Sequence, residues 1–177
     1  MSSQHFDEGH EPRRRFPARK MYPTLPGWFP TRKAPGQKIR TRLPMMMDGL
    51  IHIDTDPRCV RISPYPVSIR FFAHGPDGRF KVVQHIPDVG VKMADGSEVY
   101  IDFVPVNMQD EHPDFRRWEE ELREAFQEQY GASYAVHDEL CIYIKPRFGN
   151  LQTIWKHVLD GIDVCPASAL MGPNRLN

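Results

Sequence analysis

Between residues 60 and 104 several short runs alternate apolar and polar positions, while at 43–53 and 115–126 apolar residues recur at every third or fourth position. The first period is that of a half-buried strand and the second that of one helix face. Met46, Met47, Leu50 and Ile53 predict a short helix over Leu43 to Ile53, ended by Asp56-Pro57, because a residue before proline is pushed out of the α region. Val60 to Ser63, Val67 to Phe72, Phe80 to Ile86, Val89 to Met93 and Glu98 to Val104 read as strands. The turns between them fall at His74–Gly78 and Ala94-Asp-Gly96. Phe115, Trp118, Leu122 and Phe126 then predict a helix over 113–130, with Pro113 at its start, a charged outer face and Gly131 as its left-handed cap. That aromatic stripe reads as a core face. A strand at Ser133–Val136, an apolar stretch at Leu140–Ile144 and a helix from Leu151 to Leu159 complete the body, and residues from Gly161 onward read as a tail.

With 177 residues, 40% hydrophobic and 26% charged, the chain is long enough for one domain with extensions. Cys59, Cys141 and Cys165 form no CxxC pair, which argues against a zinc ribbon or a disulfide framework and for a reducing, cytoplasmic setting. The sequence contains no apolar run long enough for a membrane span, and its first residues lack the order of a secretory signal.

The net charge of zero conceals a split. Residues 1–47 carry ten Lys/Arg against three Asp/Glu, and residues 48–177 carry thirteen against twenty. Seven prolines interrupt the first stretch, so residues 1–43 are expected to form an extended arm in which Tyr22, Trp28 and Phe29 dock locally. Arg13, Arg14, Arg15, Arg19, Lys20, Arg32, Lys33, Lys38, Arg40 and Arg42 are the candidate nucleic-acid contacts, since a basic, proline-broken segment suits a phosphate backbone. The alternative is an arm folded back on the acidic body.

The candidate chemistry lies in His85-Ile-Pro-Asp88 and in Val99-Tyr-Ile-Asp102-Phe-Val104-Pro105. One carboxylate ends a strand, a tight turn follows, and a second carboxylate sits near the end of the next strand. This resembles the layout of a metal-dependent nuclease core, and the resemblance implies a lysine where this chain has Val104. Alternation puts Glu98, Tyr100, Asp102 and Val104 on one face, and Asp88, Gly90 and Lys92 on one face of the preceding strand. Lys92 is thus the candidate substitute cation, and Glu98 a further carboxylate for a metal held by Asp88 and Asp102. Gln84 and His85 are weaker candidates as ligands.

Taken together, the helix before Asp56-Pro57, the Pro64-Tyr-Pro66 segment, Ile86-Pro87-Asp88, the dipeptide turn and the carboxylate strand ending in Pro105 carry a resemblance. Over residues 44–160 the chain resembles the N-terminal catalytic domain of the TnsA family, the restriction-enzyme-like endonuclease subunit of heteromeric transposases. The resemblance implies an α+β, restriction-endonuclease-like core with a central mixed sheet flanked by helices. It also implies Mg²⁺ as cofactor, DNA as substrate and a transposase or integrase-like subunit as partner. The family's PD aspartate matches Asp88 and the acid of its ExK motif matches Asp102. Its lysine matches Val104, and its helix glutamate falls at Met46, with Asp48 the nearest carboxylate.

Mg²⁺ demands near-octahedral oxygen ligation, and the lysine steadies charge growing on the phosphate in the transition state. Losing both the lysine and a metal ligand therefore predicts weak or lost strand cleavage. Three readings follow from the residues: an endonuclease using Asp88, Asp102 and Lys92; a non-catalytic DNA- and partner-binding subunit that keeps the fold; and an unrelated α+β protein. The substitutions favour the second over the first.

Overall fold

The structure, a computed structural model, describes residues 4–14, 26–75 and 78–163. Its elements are β1 (Gly27–Pro30), β2 (Lys38–Thr41), α1 (Pro44–Thr55), β3 (Cys59–Pro64), β4 (Ile69–His74), β5 (Phe80–His85), β6 (Val89–Met93), β7 (Glu98–Phe103), α2 (Val106–Asp110), α3 (Phe115–Tyr130), β8 (Ser133–His137), α4 (Glu139–Ile142) and α5 (Arg147–Asp163).

A four-stranded mixed sheet in the order β3-β6-β7-β8 forms the centre. Its first three strands are antiparallel neighbours, while β7 and β8 run parallel and are joined through α3. Two separate hairpins, β1-β2 and β4-β5, pack around it. The turn between β6 and β7 uses Gly96 at φ 86°, a left-handed conformation that glycine adopts without steric cost.

Period-two alternation in β7 divides the core into two. Ile101 and Phe103 join Met46, Leu50, Ile62, Val89 and Val91 under α1. Tyr100 joins Leu122, Phe126 and Tyr134, which closes a second cluster between α3 and the β4-β5 hairpin. Burial of each large apolar side chain contributes about 1.5–3 kcal/mol. On the first side the helix lies very close to the sheet: a Cβ on Gly49 would sit 2.1 Å from Phe103 Cε1. On the other, α3 ends at Gly131, whose φ of 63° lets its N–H reach back to the carbonyls of Gln127 and Phe126.

The α+β class, the mixed sheet and its flanking helices match the coarse architecture that the resemblance implies. Three local expectations change. Residues 27–41, expected within an extended arm, form a hairpin whose inner side chains Phe29 and Ile39 are fully buried. Prolines are tolerated there because Pro30 ends the edge strand and Pro35 lies in the connecting turn. Residues 4–14 also dock: His5 and Phe6 are buried, and Ser63 Oγ donates to the His5 carbonyl at 2.5 Å. The apolar stretch at 140–144 begins as the short helix α4, capped by Asp138, whose side chain accepts from the N–H groups of Leu140 and Cys141. Residues 76 and 77 of the expected turn, and 164–177 of the expected tail, lie outside the described residues. No helix among the described residues is long and apolar enough to cross a membrane.

Candidate functional site

The β6–β7 register pairs Val89 with Ile101 and Gly90 with Tyr100, so Asp88 stands opposite Asp102 at the open end of the hairpin. Directly opposed residues of antiparallel strands share a sheet face. Both carboxylates are buried, Asp88 completely. The Asp88 N–H donates to Asp102 Oδ1 at 2.9 Å, and the Phe103 N–H donates to Asp88 Oδ2 at 2.9 Å. The two acids thus end the strand ladder by each accepting a backbone hydrogen bond from the opposite chain.

A third residue closes the pair. Arg42, just beyond β2, donates from Nε to Asp88 Oδ1 at 2.6 Å and from Nη2 to Asp88 Oδ2 at 2.8 Å, and Nη2 also reaches the Phe103 carbonyl at 2.5 Å. This two-pronged geometry is the strong form of an arginine–carboxylate contact. Burial works against the Arg42 charge, yet the hydrogen bonds and charge of Asp88 outweigh it and its pKa is raised. Burial, followed by the charge of Asp102, pushes the Asp88 pKa above the ordinary carboxylate value, while Arg42 and the Phe103 N–H pull the other way. Arg14 Nη1 stands 3.7 Å from Asp88 Oδ1 on the solvent side.

Asp102 is held just as fully. His85 Nε2 donates to its Oδ2 at 2.6 Å, and the buried Tyr134 hydroxyl donates to the same oxygen at 2.5 Å. Burial and then the Asp102 charge force the Tyr134 pKa far upward, so the phenol keeps its proton and serves as a fixed donor.

A cleft of about 630 Å³ opens over this group, with Arg14, Arg42, His85, Asp88, Asp102 and Val104 at its base. Phe115 and Trp118 of α3 form an aromatic wall, and Trp118 meets the His85 ring edge-on at 5.2 Å between centroids. The stripe expected to be core is therefore divided: Leu122 and Phe126 are fully buried, whereas Phe115 and Trp118 face the cleft.

The other predicted residues lie elsewhere. Lys92 is four residues along β6 from Asp88, about 13 Å at strand rise, with its ammonium 6.0 Å from the Phe6 ring centroid. Glu98 accepts from Tyr100 Oη at 3.2 Å and stands 3.8 Å from His5 Nε2. Neither lines the cleft. Gln84 does line it, and it donates to Ser68 Oγ at 2.6 Å. Met46 is fully buried in the α1 core beneath the Tyr65 hydroxyl, and Asp48 accepts from Tyr143 Oη at 2.8 Å.

The basic residues also separate. Lys33 turns inward, donating to the carbonyls of Asp54 at 2.6 Å and Asp56 at 2.9 Å, and Arg42 is the partner of Asp88. Arg13, Arg14 and Arg32 are exposed, while Lys38 and Arg40 flank the exposed Trp28. Arg15, Arg19 and Lys20 lie outside the described residues.

The two acids expected to hold a metal ion are both engaged by protein donors. The guanidinium bonds both Asp88 oxygens, Asp102 accepts from three donors, and Met46 and Val104 supply no ligand or ammonium. Among the described residues, no group of three or more His, Cys, Asp or Glu side chains is placed to hold a metal ion. Sequence reasoning missed Arg42 and Tyr134 as partners of the acids. The alternation Lys38-Ile39-Arg40-Thr41 signals a strand, but it would put Arg42 on the outer face with Lys38 and Arg40, so it gave no sign of the contact with Asp88. No protein-family model matches the chain, and no curated protein sequence matches it either.

Proposed function

We propose that this protein is a DNA-processing subunit of mobile-element type, with a nuclease-like core in which an arginine bridge has replaced strand cleavage. The observation that carries this reading is the Arg42 fork on Asp88. A carboxylate that must ligate Mg²⁺ needs a free lone pair directed at the metal. Here the position a cation would take beside Asp88 is filled by a covalently tethered one. The resemblance to the TnsA family supplies the DNA context, and the split between a basic first quarter and an acidic remainder supports a polyanion partner. The acidic, helix-rich body is left for a transposase or integrase-like partner.

The test is a nicking assay on supercoiled plasmid with Mg²⁺ or Mn²⁺, run beside a binding assay on the same DNA. The wild type is expected to bind without cutting. Metal-dependent cleavage by the wild type that disappears in Asp88→Ala would overturn the non-cleaving reading. Absence of any DNA binding at low salt would overturn the DNA reading itself.

A further inference from the structure

The outer face of the β1-β2 hairpin carries an aromatic ring set among cations. Register pairs Trp28 with Arg40 and Pro30 with Lys38, so these four side chains share one face. Trp28 is 53% exposed. The Lys38 ammonium lies 5.0 Å from a Trp28 ring centroid and the Arg40 guanidinium 5.1 Å. The opposite face explains why an indole can be held out in water. Phe29 and Ile39 are fully buried, and Phe29 stacks on Trp155 of α5 at 5.0 Å between centroids. The hairpin is anchored through one side and presents the other.

The charge around this face is of one sign. Residues 26–43 contain five Lys/Arg and no Asp or Glu. Lys33 and Arg42 are turned inward onto Asp54, Asp56 and Asp88, which leaves Arg32, Lys38 and Arg40 on the outer side. We propose that Trp28, Lys38 and Arg40 form a contact surface for single-stranded nucleic acid, in which a base stacks on the indole and the two cations meet the flanking phosphates. This rests on the DNA-binding reading above and names the surface and the form of the ligand. Every base offers a π-face when unstacked, and a duplex hides those faces, so an exposed indole between cations favours the single strand. The contact is sequence-tolerant for the same reason.

The experiment is fluorescence anisotropy on the full chain with labelled oligothymidylate, with a labelled DNA duplex and heparin as competitors. Trp28→Ala is expected to weaken oligothymidylate binding about tenfold, and Trp28→Phe to retain most of it. Lys38→Ala with Arg40→Ala is expected to reduce the log–log salt slope by up to about 1.4, at roughly 0.7 for each phosphate contact. Lys156→Ala, an exposed cation on α5, should leave the slope unchanged. Circular dichroism melting of Trp28→Ala should match the wild type, since the inner face is untouched. Wild-type binding that survives Trp28→Ala unaltered overturns this surface and leaves the DNA-binding reading standing. So does an equal loss toward heparin, which has no bases. A wild type that binds neither single strand nor duplex overturns both.

Discussion

Arg42 and Asp88, forty-six residues apart in sequence, meet through two hydrogen bonds of 2.6 and 2.8 Å in a place where Asp88 is wholly buried. The contact ties the end of the β1-β2 hairpin to the open end of the β6-β7 hairpin. It also engages both oxygens of Asp88, the contact on which the proposed loss of strand cleavage rests.

Removing the guanidinium would strand a buried carboxylate beside a second one. Arg42→Ala is therefore expected to destabilise the fold by about 3–5 kcal/mol. The double variant Arg42→Met with Asp88→Asn should be less destabilised than the sum of its single variants, because neither partner is left as an uncompensated charge. Urea unfolding of the four proteins measures this coupling; additive losses would mean that the fork contributes nothing of its own.

Introducing at position 104 the lysine that the TnsA resemblance implies is expected to change nothing in activity. Val104→Lys places an ammonium in the same cleft as Arg42 and Arg14 while leaving both Asp88 oxygens occupied. A plasmid-nicking assay with Mn²⁺ should show no gain over the wild type. Cleavage appearing in Val104→Lys alone would mean that the guanidinium yields to metal.

Gly49→Ala should destabilise the protein although it raises helix propensity. In an exposed helix interior this change is favourable by about 1 kcal/mol. Here the new Cβ would lie 2.1 and 2.7 Å from two Phe103 ring carbons. Overpacking of this kind costs about 1–3 kcal/mol, and a lowered melting temperature is the expected reading. A raised one would mean that the ring moves freely.

Stability should fall as the pH drops below 7, before most carboxylates titrate. Burial lowers the pKa of His52 and His137 from 6.5; in His137 the neighbouring His52 adds to the effect, and in His52 the Ile142 carbonyl opposes it. Burial likewise lowers His5 and His10. The unfolded chain thus takes up protons near pH 6.5 that the folded chain refuses. Their contribution is fully present above 6.5 and is lost as the pH falls toward the folded values. Each refused proton contributes a slope of about 1.4 kcal/mol per pH unit within that window. Urea midpoints at several pH values between 5 and 8 should show the decline, and His137→Gln should flatten it; an unaltered slope would remove His137 as a contributor.

Local periodicity was enough to read α3 with its Gly131 end, the β6-β7 hairpin around Gly96, and the pairing of Asp88 with Asp102. Each of these depends on residues a few positions apart, whose side-chain directions are dictated by a period of 2 or 3.6. The hairpin at 27–41 was less legible because prolines mask its alternation, though Phe29, Ile39 and Thr41 point inward at the required spacing. Lys92 and Glu98 share a face with the acids, but that period is blind to distance along the strand and to the Phe6 and His5 segment that takes up the far end. What sits on each carboxylate was decided only in three dimensions. Arg42 comes from just beyond β2, Tyr134 from β8 and His85 from β5, and nothing in their local sequence marks them as partners of the acids. A buried charge must find its partners wherever the packed elements place donors, and that placement belongs to the tertiary fold.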